Sequence, residues 1–265
     1  MALAFVLNAI ALTFESGSAD RSSFHVSTGY GVGRGSPAEP GDAEAQYELG
    51  ATYALGEGVP RNYKAAVSWF RRAAEQGHIG AAYNLGVMYA GGRGVRQDFA
   101  EALRWYRKAA DQGHTAAQAS LGALYALGRG VEKDDADALA WFRMAADQGD
   151  AGAEYNLGVM YAEGRGVSRN LAEAAVWYSR AADQGNASAQ SNLGAMYSEG
   201  SGVPQDYVLA YMWLSLAAAS GSRIAARNLD IVAGKMSPEQ FTEAQGLVRE
   251  WSTARRARLP KMEAP

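Results

Sequence analysis

The sequence predicts an all-α fold: a right-handed α/α superhelical repeat solenoid of five 36-residue helix-turn-helix units, closed by C-terminal capping helices. Three observations predict it. Gly41, Gly77, Gly113, Gly149, Gly185 and Gly221 fall at one constant spacing of 36. Trp69, Trp105, Trp141, Trp177 and Trp213 keep that spacing, as do Leu49, Leu85, Leu121, Leu157 and Leu193, each followed by glycine. Inside each unit the apolar residues recur at the helical period, as Ala81, Leu85 and Tyr89 do. Most of the 31 glycines sit in this frame, so they mark fixed structural positions and not a flexible low-complexity chain. The frame divides the chain into a leader and linker (1–40), five repeats (41–220), capping helices (221–258) and a tail (259–265).

In the leader, Ala2 to Phe14 is apolar but too short to span a bilayer. Three readings stand for it. It is a signal or anchor with Ala9-Ile10-Ala11 near a cleavage site, although no Lys or Arg precedes it. Alternatively it is a degenerate capping repeat, since Phe14-Glu15-Ser16-Gly17 echoes Tyr197-Ser198-Glu199-Gly200, or it reflects a mis-set start or a disordered leader. Membrane contact is expected only if residues 1–14 are a signal or anchor. The Ser/Gly-rich stretch 16–36, with Pro37 and Pro40, reads as a linker.

Each repeat reads as two antiparallel helices. In the second, helix A follows the Gly77-His78 turn and carries Ala81, Leu85 and Tyr89 on one face, with Gly92 as its C-terminal stop. The Gly92-Arg93-Gly94-Val95 loop leads to Asp98 as N-cap of helix B, with Asn62, Asp134, Asn170 and Asp206 its equivalents. Helix B carries Ala102, Trp105, Tyr106, Ala109 and Ala110 and stops at Gly113. Gly86 and its equivalents lie inside helix A, where glycine costs about 1 kcal/mol relative to alanine. The recurrence of that cost implies close approach by a neighbouring helix or a tryptophan ring.

The fifth helix B, Tyr207 to Leu216, lacks the cations that earlier copies carry at Arg71, Arg107, Lys108 and Arg143, so its outer side needs cover. A sixth helix A over Ser222–Lys235, with Ala225 and Leu229 in register, supplies part of it. Ser237-Pro238-Glu239-Gln240 then starts a final helix to about Arg256, whose stripe Phe241, Ala244, Leu247, Val248 and Trp251 packs on the last repeat or awaits a partner. Arg255, Arg256, Arg258 and Lys261 read as a solvated charge run, with weak contact to an anionic surface as the other reading.

These residues resemble a known family. The Ala-x-x-x-Leu-Gly-x-x-Tyr, Gly-x-Gly-Val and Ala-x-x-Trp-(Phe/Tyr)-x-x-Ala-Ala-x-x-Gly patterns, over about residues 41–235, are similar to Sel-one-like repeats, relatives of tetratricopeptide repeats. The resemblance implies a non-enzymatic protein-interaction scaffold or adaptor in bacterial signalling or envelope processes, placed in cytoplasm or periplasm. It also implies two alternatives: a β-lactam or peptidoglycan hydrolase, after a cysteine-rich minority of the family, and a periplasmic regulator of a membrane sensor.

The chemistry of the chain argues against catalysis. Lys+Arg number 25 against 28 Asp+Glu, a net charge of -3, so there is no electrostatic footprint for nucleic acid. With 0 cysteines there are no disulfides, thiolate metal sites or cysteine nucleophiles, which also weakens the β-lactam alternative. Ser-x-x-Lys, Gly-x-Ser-x-Gly, His-Glu-x-x-His and Walker A motifs are absent, and Gly29, Gly31, Gly33 and Gly35 do not fit a dinucleotide fingerprint. No enzyme, cofactor or metal is therefore expected, and His78 and His114 read as turn or cap residues. Glu75, Asp111, Asp147 and Asp183 recur before Gln-Gly while Arg93, Arg129 and Arg165 recur in loops. The two ladders read as inter-repeat ion pairs or as an electrostatic docking edge.

The candidate binding site follows from helical geometry. At about 100° per residue, the side of helix A opposite its core stripe carries Tyr47, Tyr83, Asn84, Val87, Ser120, Tyr155, Asn156, Val159 and Asn192. By the resemblance this side lines the concave surface. The expectation is a nearly uncharged groove of exposed aromatic and amide side chains for a peptide or protein segment. Against it stands a structural reading, in which Asn84, Asn156 and Asn192 bond neighbouring backbone while Tyr83 and Tyr155 pack on adjacent helices.

Overall fold

The computed structural model describes residues 41–258, so the expectations for residues 1–40 and for Lys261 lie outside it. The described residues form twelve α-helices and no strand. They group into two compact units, 41–150 and 151–258.

The 41–150 unit contains three helix pairs: α1 (Ala43–Leu55) with α2 (Tyr63–Glu75), α3 (Ile79–Gly91) with α4 (Phe99–Ala110), and α5 (Thr115–Leu127) with α6 (Asp135–Asp147). Every second helix starts at the cap that the sequence proposes: the side chains of Asn62, Asp98 and Asp134 accept from backbone N–H groups of the first turn. The first helices end at Gly56, Gly92 and Gly128 in the left-handed conformation. Ala66, Phe70, Leu85, Met88, Tyr106, Leu121 and Leu124 form the buried core between the layers.

The helix-interior glycines have the expected cause, with one correction. A Cβ on Gly50, Gly86 or Gly122 would lie 2.5, 2.5 or 2.7 Å from Cδ1 of Phe70, Tyr106 or Phe142. The intruding ring belongs to the residue after each tryptophan, on the partner helix of the same repeat. The tryptophans lie further out. Trp69 sits under Arg72, with the guanidinium 4.8 Å from the ring centroid, and Trp105 lies between Arg104 and Lys108 at 5.3 Å from each.

The 151–258 unit repeats the pattern with α7 (Ala151–Glu163), α8 (Leu171–Asp183), α9 (Ala187–Glu199) and α10 (Tyr207–Ala219), followed by α11 (Arg223–Ala233) and α12 (Pro238–Arg258). Asn170 and Asp206 cap α8 and α10. Helix α10 is apolar on all sides, which requires burial all round. Helix α12 packs against it, with Phe241 edge-on to Tyr211 at 5.0 Å, Trp251 edge-on to Trp213 at 6.2 Å and Ala244 fully buried. A reciprocal capping box starts α12: Gln240 N–H donates to Ser237 Oγ at 3.3 Å, and Ser237 N–H donates to Gln240 Oε1 at 3.0 Å. Among the described residues no helix is long and apolar enough to cross a membrane.

Candidate functional site

Helix A of each repeat carries both the core stripe and, opposite it, the nine candidate side chains, so one set of caps fixes both. In the 41–150 unit those caps are Asp42, His78 and His114. His78 Nδ1 accepts from Ala81 N–H at 3.0 Å while its Nε2 lies 3.1 Å from Glu44 Oε2, which places the proton on Nε2. His114 Nδ1 accepts from Ala117 N–H at 3.2 Å. Both histidines are thus helix caps, and among the described residues no group of three or more His, Asp or Glu is arranged to hold a metal ion.

These caps also seat the tyrosines. The Tyr47 ring stacks on His78 at 4.3 Å and lies 5.9 Å from Phe70, and the Tyr83 ring stacks on His114 at 4.6 Å and lies 5.7 Å from Tyr106. Each ring is held between the helix B ring of its own repeat and the cap of the next. Burial pushes the phenols of Tyr47 and Tyr83 up to about 12; the Asn84 amide works against this at Tyr47, and the Asp150 carboxylate adds to it at Tyr83. In the 151–258 unit, Tyr155 lies 5.9 Å from Tyr178. Burial raises the Tyr155 phenol to about 12, with Glu163 adding to the rise and Asn192 opposing it, and it raises Tyr178 further. The nine candidate side chains are hydroxyl, amide and apolar groups, none of which is charged at physiological pH.

The expectation of an exposed groove is corrected. Tyr47, Asn84, Tyr155, Asn156, Val159 and Asn192 are buried, and Tyr83, Val87 and Ser120 are half-buried. Two physical reasons account for it. Helix A is apolar or small on nearly all sides, so both its faces are covered, and the Tyr47 and Tyr83 rings lie on the next repeat's histidine. The tyrosines pack as the structural reading had it, but the asparagines do not follow. Asn84 and Asn192 leave both Nδ2 and Oδ1 without a hydrogen-bond partner, and Asn156 leaves Oδ1 unpaired. Asn192 lies beside the phenols of Tyr155 and Tyr178 and favours the ionised form of both. Ser120 differs, its Oγ donating to Ala116 O at 2.8 Å.

Two members of this set are absent from the sequence-based list. Asn228, 36 residues after Asn192, is buried with Nδ2 unpaired. The repeat frame extended by one unit locates it, but Asp230 and Ala233 interrupt the motif there. Tyr178 follows a tryptophan and reads as core from sequence. Other recurring amides serve the frame itself: Gln76 Nε2 donates to Gln46 Oε1 at 2.9 Å, Gln148 Nε2 to Gln118 Oε1 at 2.7 Å, and Gln184 Nε2 to Glu154 Oε2 at 2.7 Å. Of the loop arginines, Arg129 lies over Phe99 of the preceding repeat at 5.3 Å and Arg165 lies 3.7 Å from Glu163, while Glu75, Asp111 and Asp147 are exposed.

Comparison with known proteins adds three findings. Residues 43–78, 79–114, 115–150, 151–186 and 187–222 each match the Sel1 repeat. A protective antigen of uropathogenic Escherichia coli strains, displaying an SLR fold, is 40% identical, with a TM-score of 0.73 over 82% of this chain and 47% of that one. This chain thus spans less than half of the E. coli protein's length. A Sel1 repeat protein from Oxalobacter formigenes is 32% identical, with a TM-score of 0.70 over 86% of this chain and 90% of that one. No curated protein matches. With five consecutive repeats in an all-α solenoid frame, the chain belongs to the Sel1 repeat family, whose members are generally protein-protein interaction scaffolds and not enzymes.

Proposed function

We propose that this chain is a non-enzymatic adaptor that takes up a peptide or protein segment along the inward side of the A helices, in bacterial signalling or envelope processes. The unpaired amides of Asn84, Asn156 and Asn192 carry the reading. A buried polar group without a partner costs about 1–3 kcal/mol, and native interiors hold few of them. An asparagine that offers both a donor and an acceptor matches one peptide unit of an extended main chain, and the 36-residue spacing places Asn156 and Asn192 at the same position of successive repeats. The half-buried Tyr83, Val87 and Ser120 are the exposed part of this face in the 41–150 unit, with Asn84 one helical turn from Val87. The candidate side chains are hydroxyl, amide and apolar groups without charge, which suits a segment recognised through its main chain and apolar side chains.

The test is affinity capture from the native host followed by cross-linking and mass spectrometry, repeated with an Asn84→Ala, Asn156→Ala, Asn192→Ala triple variant. The expected result is cross-links to residues 79–91 and 151–163 and at least a ten-fold loss of capture at unchanged helicity. Full capture by the triple variant overturns the reading.

A further inference from the structure

Two positions that are covered in later repeats are uncovered, among the described residues, in the first. The first is the leucine ahead of the helix-interior glycine. Leu85, Leu121, Leu157 and Leu193 are at most 1% exposed, whereas Leu49 is 38% exposed. The second is the later loop glycine. A Cβ on Gly94, Gly130 or Gly202 would lie 2.4, 2.4 or 2.5 Å from the carbonyl carbon of Tyr63, Phe99 or Leu171, because each loop presses on the start of the preceding repeat's helix B. At Gly58 nothing lies within 4 Å. The first repeat thus keeps the apolar side chain and the backbone seat of an interior repeat, although the end of a solenoid calls for a polar face. The C-terminal end shows the contrast, since there the register residues change and α12 covers α10.

We propose that the α1 edge around Leu49 and Gly58 is the docking face of the chain's own upstream segment, residues 6–24. Forty residues precede Gly41, enough for one 36-residue unit, and they join the edge directly through Pro40. Val6, Ile10, Ala11, Phe14 and Gly17 reproduce the intervals of Ala81, Leu85, Gly86, Tyr89 and Gly92. Ser23 and Phe24 then follow Gly17 at the distance at which Asp98 and Phe99 follow Gly92. In that register Phe24 takes, under Gly58, the place that Tyr63 has under Gly94. Docking covers Leu49, and it is incompatible with removal of residues 1–14 as a signal.

The chain has no cysteine, so an introduced pair is unambiguous. Full-length protein carrying Phe24→Cys and Val59→Cys, treated with a short bismaleimide, is expected to cross-link within the monomer at least ten-fold faster than a Phe24→Cys, Gln245→Cys control. Cross-linking between chains, which would assign the edge to a second copy, or a rate no greater than the control, overturns the proposal. An independent measurement uses full-length Ile10→Asp, Phe14→Asp protein: amide hydrogen exchange around Leu49 should rise at least ten-fold while that of α9 and α10 stays constant. Unchanged exchange at Leu49 overturns it as well. Neither result depends on the amide ladder binding anything.

Discussion

The ring of Phe142 lies over the backbone of Gly122, so that a Cβ there would come within 2.7 Å of the ring. The contact fixes the separation of the two helices in that repeat. Gly122→Leu should destabilise the array by about 1–3 kcal/mol through overpacking, a fall of several degrees in Tm for a chain of this size. A thermal melt followed by circular dichroism checks it, and an unchanged curve removes the packing role.

The histidine caps can be separated from any ligand role by substitution. His78→Asn keeps a cap acceptor, as Asn186 does at its own position, whereas His78→Ala should cost about 1 kcal/mol. Both variants lose the stack on Tyr47, so the difference between them isolates the cap. Equal melting temperatures would mean that the bond from Ala81 N–H to Nδ1 adds nothing.

The buried phenols predict alkaline behaviour with a definite sign. Tyr47, Tyr83 and Tyr155 have folded-state values raised from 10 to about 12, so the fold favours their neutral form. That preference costs nothing below the unfolded value near 10. Stability is then lost as pH rises from about 10 towards 12, where the unfolded chain ionises first. Absorbance at 295 nm should show these tyrosines ionising together with loss of helicity. Ionisation near pH 10 in a fully helical protein would contradict their burial.

The amide ladder predicts a trade between stability and binding. Replacing an unpaired buried asparagine with an apolar side chain of similar size removes the desolvation cost, so Asn192→Leu should raise stability by about 1–3 kcal/mol and weaken partner capture. Denaturant unfolding gives the first quantity and the capture experiment the second. A destabilised variant would show that Asn192 is already satisfied in the folded chain.

Much of the fold is legible in the sequence because the frame is regular. Asn62, Asp98, Asp134, Asn170 and Asp206 could be named as caps from spacing alone, since an N-cap is a local decision between one side chain and the next turn. The Ser237–Gln240 box is legible for the same reason. Exposure is less so. A helical wheel shows that Asn84 and Tyr155 lie opposite the core stripe, but not that the next repeat's cap folds down onto that side. The wheel also does not distinguish Trp105 from Tyr106 as the ring that meets Gly86, because adjacent residues on helix B differ by only about 100°.

The stacked histidines have a consequence for how the array comes apart. Tyr47 on His78 and Tyr83 on His114 tie successive repeats in the 41–150 unit, while Asn186 and Ser222 occupy the cap positions in the 151–258 unit and offer no ring. In a nearest-neighbour chain of repeats, unequal couplings give unequal lifetimes. Residues 79–113 lie between the two cap histidines, and their repeat takes part in both stacks. They should be the last segment to exchange its amides and the persistent kernel from which a partly melted molecule rewinds.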